Sequence, residues 1–315
     1  MGLPDATPVM RQYRAVKAKH PDEIVFFRLG DFYEMFYEDA HIAARLLGIT
    51  LTSRQKGIPM AGVPYHSAAG YIRRLLRAGR SVVICEQKKG AGSKRLMARE
   101  IVRVITPGTV VEDEYLSGKE ANYITAAVVE KDRFGLAWAD VSTGTFVATE
   151  APVSSLEDHL HRLSPAELVL PESLAEESPE SWKEQAALRT LPDWRFDLEA
   201  ARRRLLEHFD VVTLEGFGVE DRPLACRAAG ALLDYLAETY RDSLAGLCSL
   251  SYHHDEAHLT IDATSARALE LVRRTDGETG EGTLLWALDE TETPMGARLL
   301  RRRLLAPLRD VESIE

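Results

Sequence analysis

The chain has 315 residues, 45% of them apolar and 28% charged, which is long enough for two or more domains. No apolar run approaches the ~20 residues of a membrane span, and Met1-Gly2-Leu3-Pro4-Asp5 has no signal-peptide pattern. The net charge of −10 hides an asymmetry: residues 1–110 hold 18 Lys and Arg against 9 Asp and Glu (+9), and residues 111–315 hold 21 against 40 (−19). A basic third in an acidic chain suggests a nucleic-acid partner for that part alone, because such a patch attracts phosphates without reading sequence. Cys85, Cys226 and Cys248 are few, odd in number and far apart, which suits reduced thiols in a cytoplasm rather than a disulfide framework.

Taken in order, Thr7 starts a helix reaching about His20, and Ile24-Val25-Phe26-Phe27 has the length and composition of a buried strand. Gly30 supplies a turn, and Asp31 with Glu34 three residues on has the spacing of a helix capping box. The predicted helix, about Phe32 to Leu47, has its apolar stripe on Tyr33, Phe36, Ala40, Ala43, Ala44 and Leu47. Phe32 falls at the edge of that stripe and Glu34 well outside it, so neither is clearly claimed by the core. In one reading the ring packs and the carboxylate caps the helix, favoured by its dipole. In the other, the ring is a wedge that enters between bases and kinks a duplex, while the carboxylate accepts a hydrogen bond from a base edge.

Leu51 to Pro64 reads as a loop holding Arg54, Gln55 and Lys56, and Tyr71 to Ala78 as a helix whose Arg73, Arg74 and Arg77, with Arg80 beyond, form a solvated face. Cys85 ends a strand, Val82-Val83-Ile84-Cys85, where a buried thiol is the default. Gly90-Ala91-Gly92-Ser93-Lys94-Arg95 is a flexible basic loop, and Ile101 to Thr106 a strand closed by Pro107-Gly108. A polar connector at Glu112 to Lys119 leads to three short strands, Ala121 to Val129, Phe134 to Val141 and Thr145 to Thr149, that read as a β-meander. Helices at Ser155 to Leu163 and Glu199 to His208 enclose a strand at Glu167 to Leu170.

From Pro223 the pattern is mostly helical, at Ala225 to Thr239, Thr264 to Arg274, Thr283 to Leu288 and Gly296 to Leu305. His253, His254, Asp255, Glu256 and His258 tempt a metal reading. The tract looks extended, however, so alternate residues face opposite ways, and its spacing matches no standard ligand set; a solvated polar segment is expected. Residues 275–282 form a polar, Gly-rich loop with no strand before it, and no Gly-x-x-x-x-Gly-Lys-Ser/Thr phosphate loop occurs anywhere in the chain.

Several stretches stand in the order and approximate spacing of one known family. They are Thr7-Pro8-Val9-Met10, Gly30-Asp31-Phe32-Tyr33-Glu34, Ile58-Pro59-Met60-Ala61-Gly62-Val63-Pro64-Tyr65-His66, Cys85-Glu86-Gln87 and Thr106-Pro107-Gly108-Thr109. Together they resemble the N-terminal domain of the MutS family of DNA mismatch-recognition proteins. Asp140-Val141-Ser142-Thr143-Gly144, Gly216-Phe217-Gly218-Val219-Glu220 and Thr293-Pro294-Met295-Gly296 resemble stretches of its second and third domains, so the likeness covers nearly the whole chain. It implies a multidomain α/β fold: a mixed α/β mismatch-recognition domain at 1–112, a ribonuclease-H-like connector at 113–222, and a partial helical core or lever domain at 223–315.

The resemblance further implies that Phe32 inserts beside a mispaired base and Glu34 hydrogen-bonds it; the nearby Arg54, Lys56 and His66 are expected as secondary DNA contacts. The partner is then mismatched double-stranded DNA. The intact protein is expected to be a cytoplasmic, nucleoid-associated homodimer using ATP and Mg²⁺ and signalling to the repair protein MutL. Lacking the phosphate loop, this chain reads as a fragment without ATPase activity, metal or cofactor. Two alternatives stand beside this reading. One is a MutS-like paralogue that holds recombination intermediates; the other is a metal-dependent nuclease on the ribonuclease-H-like fold with Asp140 among its ligands.

Overall fold

A computed structural model describes residues 7–54, 57–87, 99–110, 119–239 and 244–315. The chain divides into two compact units, Met1–Tyr115 and Leu116–Glu315. Among the described residues no helix is long and apolar enough to cross a membrane.

In the first unit, helix α1 (Pro8–Lys17) starts where expected, the Thr7 side chain accepting a hydrogen bond from the Met10 amide. Strand β1 (Ile24–Leu29) follows. The expected helix from Phe32 is corrected: Phe32–Phe36 is a strand, β2, and helix α2 runs Tyr37–Leu47. Gly30 and Asp31 form a two-residue hairpin loop, Leu29 pairing with Phe32, and Gly30 takes φ +62°, the left-handed conformation such a loop requires at its first position. No capping box forms at Asp31.

The expected loop 51–64 is also partly strand, β3 (Thr52–Ser53) and β4 (Pro59–Pro64). Helix α3 (Ala68–Arg77), β5 (Val82–Gln87) and β6 (Arg99–Ile105) complete the unit. They make a six-stranded sheet of order β3-β4-β2-β1-β5-β6, antiparallel except that β1 and β5 run parallel.

Successive side chains along a strand point to opposite faces. On one face Val25, Phe27, Phe36, Val83 and Cys85 pack with Met10 and Tyr13 of α1. The opposite parity, Phe26, Met35, Ala61 and Val63, is also buried, on the side where α2 and α3 pack on each other and on β4. The buried Asp39 carboxylate ties these parts together, accepting hydrogen bonds from Tyr13 Oη (2.6 Å), the Val25 amide (3.0 Å) and Lys17 Nζ (2.7 Å). Burial, then the adjacent Asp39 charge, pushes the Tyr13 phenol far above its ordinary range, so it acts as a donor at all accessible pH. Burial likewise raises the Cys85 thiol to about 12, making it an inert core residue.

The second unit opens with the expected meander, β7 (Ile124–Glu130), β8 (Arg133–Asp140) and β9 (Thr145–Pro152). Helix α4 (Leu156–Leu163) leads to β10 (Glu167–Pro171). The short helices α5 (Glu172–Glu177) and α6 (Glu180–Gln185) and strand β11 (Ala187–Leu191) follow, none of them predicted. Next come α7 (Leu198–Phe209), α8 (Pro223–Thr239) and β12 (Ser251–Tyr252). The sheet order is β11-β10-β7-β8-β9-β12, with β10 parallel to β7 and β11 parallel to β10. An antiparallel three-strand meander extended by two parallel strands is the ribonuclease-H-like arrangement.

Helix α8 is not the start of a separate helical domain, as the boundary at 223 supposed. Its buried Ala225, Ala228, Ala229 and Leu232 join Ala126, Ala137 and Ala148 of the sheet and Leu205 of α7 in one core, while α4 and Trp182 of α6 cover the other face. Two glycines allow that packing. A Cβ on Gly135 would lie 2.0 Å from the Leu224 carbonyl oxygen, and one on Gly230 2.4 Å from the Ala201 Cβ. Beyond it lie α9 (Ala263–Ala268), shorter than predicted, then α10 (Leu284–Leu288), α11 (Pro294–Leu305) and α12 (Val311–Ile314). A small cluster of Ala266, Leu271 and Leu305 joins them.

Two outcomes test these contacts. Asp39→Ala leaves buried donors without their acceptor and is expected to cost about 3–5 kcal/mol, seen as loss of hydrogen-exchange protection at the Val25 amide. Gly135→Ala forces α8 off β8 and is expected to destabilise the second unit by about 1–3 kcal/mol, read from the denaturant midpoint of tryptophan fluorescence.

Candidate nucleic-acid interface

Because β2 is a strand, Phe32 and Glu34 lie on the same face, whereas two residues of a helix would stand ~200° apart. This is the face that α1 covers at its Phe36 end. At the other end it is open, and Phe32 is 47% exposed while its neighbour Tyr33 is buried. In register, Phe32 pairs with Leu29 and Pro64, and Glu34 with Phe27 and Gly62. A Cβ on Gly62 would sit 3.6 Å from Glu34 Cγ and 3.8 Å from Phe32 Cδ1. The glycine thus leaves a shallow gap between ring and carboxylate.

Glu34 does not stand alone. Arg54 Nη1 lies 2.8 Å from its Oε2, and the Arg99 charge also acts on it. Arg99, which the sequence reading did not single out, stands over the Phe27 ring at 4.9 Å and donates to the Arg28 carbonyl at 2.7 Å. Burial raises the Glu34 pKa above its ordinary value and Arg54 opposes that rise. Carboxylate and guanidinium therefore form a half-buried pair beside an exposed ring.

His66 lies in the turn just past Pro64, its ring edge-on to Tyr65 at 5.7 Å. Tyr65 is 45% exposed, and the Arg28 guanidinium stacks on it at 3.5 Å. The structure thus brings Phe32, Glu34 and Arg54 together and puts His66 at the same end of the sheet. Lys56 and the basic loop at 90–95 lie outside the described residues. On α3, Ile72, Leu75 and Leu76 are buried and Arg73, Arg74 and Arg77 face outward, as the sequence suggests. The Arg28–Tyr65 stacking is not legible in the sequence, because it depends on the pairing of distant strands.

The other candidate groups have different duties. Asp140 is buried and accepts hydrogen bonds from the amides of Asn122 and Ser142 and from Ser142 Oγ, so it stabilises the turn after β8. The His253–His258 tract is not simply solvated. With β12 held parallel to β9, Asp255 accepts from His159 of α4 at 3.0 Å and lies 3.2 Å from His253. Burial would raise the Asp255 pKa, but these two hydrogen bonds outweigh it and hold the carboxyl far below its usual range. Among the described residues no group of three or more His, Cys, Asp or Glu is placed to hold a metal ion.

Fold and face together define a multidomain α/β protein whose basic unit presents an exposed ring beside a carboxylate, followed by a ribonuclease-H-like unit. The matching family models agree: MutS domain I over residues 7–114, domain II over 122–247 and domain III over 264–315. The chain belongs to the MutS family. It is 44% identical over 318 residues to a protein of Dehalococcoides mccartyi called DNA mismatch repair protein MutS, covering 99% of this chain and 37% of that relative. A Desulfatibacillum aliphaticivorans protein of the same name is 45% identical over 329 residues, covering 100% and 36%. The chain thus spans little more than a third of the length of these relatives.

The Glu34 pair has a pH signature. A raised folded-state pKa means that ionising Glu34 works against the fold: its contribution is fully present below the unfolded pKa and is lost as pH rises through the folded one. Arg54→Gln removes the opposing charge, so the Glu34 carboxyl titration followed by NMR is expected to move further up. Glu34→Gln is expected to abolish that part of the pH dependence.

Proposed function

We propose that this chain is the lesion-sensing part of a DNA mismatch-repair protein and that it binds mismatched double-stranded DNA. The observation that carries the reading is Phe32, a large apolar ring 47% exposed on an open sheet face of the basic unit, with Glu34 two residues away on that face. Inserting such a ring between bases costs a few kcal/mol of stacking, and less where the pair is already mispaired. The basic surface holds the backbone without regard to sequence and is weakened by salt. Discrimination arises because a mismatch kinks more cheaply than a paired duplex.

Glu34 is suited to accept a hydrogen bond from the edge of the displaced base. Its partner Arg54 moderates its repulsion of the phosphates, and in this reading Arg54, Arg99 and His66 are the groups that contact the backbone. For the intact protein, the proposal includes a homodimer, ATP with Mg²⁺, and hand-over to MutL. A paralogue that only holds recombination intermediates has no use for an exposed ring beside a carboxylate. A nuclease reading is weakened because Asp140 spends its oxygens on backbone and serine donors.

Fluorescence anisotropy of the intact protein on G·T and fully paired duplexes tests the reading. Phe32→Ala is expected to erase the mismatch preference, while added salt weakens binding to both duplexes; a preference that survives the mutation rejects the wedge. Glu34→Gln is expected to tighten binding to paired DNA, because it removes a negative charge facing the phosphates.

A further inference from the structure

A second basic feature lies within the second unit. Between the end of α4, strand β8 and helix α11 is a cavity of about 130 Å³ lined by Arg162, Arg273, Arg298, Arg301 and Arg302, with the rings of Tyr123 and Trp138 in its wall. Among the described residues, Glu120 is the only carboxylate in the lining, 3.8 Å from Arg301. Arg298 reaches Ser142 Oγ at 3.3 Å and stands 3.7 Å from Asp140, whose oxygens other donors already occupy. Its buried Nε has no hydrogen-bond partner among the described residues.

Arg162 touches the His253 ring nitrogen at 3.4 Å and has Asp255 and Asp158 behind it. Arg273 and Arg302 have no ion pair among the described residues. So much positive charge in one recess is unfavourable without a counter-charge. Burial lowers the pKa of both Arg162 and Arg301. Burial, partly offset by Arg302, raises that of Tyr123 and keeps its phenol a donor.

We propose that this cavity binds a multivalent phosphate-type oxyanion, free or as the phosphate chain of a nucleotide. Guanidinium forks match the oxygens of a phosphate two at a time, and Tyr123 in the wall can supply a further donor. The small volume suits a phosphate group rather than a whole nucleotide, whose base would rest outside or against the rings. The bound anion would join α11 to α4 by neutralising arginines from both.

Calorimetric titration of the 315-residue chain with pyrophosphate at fixed ionic strength tests this. One saturable site is expected, weakened at least tenfold by Arg302→Glu, an exposed position whose change spares the fold, and by Arg301→Gln checked by circular dichroism. Phe32→Ala is expected to leave the affinity unchanged, which separates this site from the DNA-binding face. Absence of saturable binding at millimolar pyrophosphate overturns the proposal, as does binding undiminished in both arginine variants. Parallel titrations with tripolyphosphate and ATP identify the source. Equal affinities assign the site to the phosphate chain alone; tighter ATP binding adds a base stacked on Trp138 or Tyr123.

Discussion

The Asp39 carboxylate is the constraint on which the first unit depends. It collects the Tyr13 and Lys17 side chains of α1 and the Val25 amide of β1, and it stands in the first turn of α2. Just before it the chain turns from strand to helix at Tyr37, a non-glycine residue with φ +54°, a conformation that must be held by its surroundings. By fixing where α2 begins, the tie keeps Phe32–Phe36 extended, and the extended backbone alone puts Phe32 and Glu34 on one face. A buried, hydrogen-bonded charge far from the exposed ring thereby decides what that ring can reach.

The same face shows how a carboxylate can be kept on the surface of a basic unit. Glu34 is half-buried, which disfavours its charged form, and Arg54 offsets that in part. The pair removes most of the long-range repulsion that a bare acid would exert and leaves the carboxylate able to accept a hydrogen bond. The glycine at position 62, opposite Glu34, keeps the space between ring and acid clear.

In the second unit, close backbone approach organises the packing. Gly135 lets the first turn of α8 rest on β8, and the Glu150 side chain of β9 accepts hydrogen bonds from the Leu224 and Ala225 amides there. Both contacts bind α8 to the sheet rather than to the helices beyond it. The arginines of α11 face the sheet from the other direction, where the structure supplies fewer carboxylates than cations.

The sequence by itself determined the strands of both sheets where apolar runs were long, the capped start of α1, the charge split between the two parts and the pairing of an unclaimed ring with an unclaimed acid. It also holds a signal that reads two ways: Gly30-Asp31 between two aromatic-rich runs marks a two-residue hairpin, but the Asp31–Glu34 spacing imitates a helix cap. Periodicity over five residues cannot separate these, because the choice rests on pairing with β4, distant in the chain. Only the tertiary structure set Arg54 against Glu34, put Arg99 beside them, gave α8 to the sheet and gathered the arginine cavity. Each of those depends on contacts between residues far apart in sequence, and local patterns carry no record of such contacts.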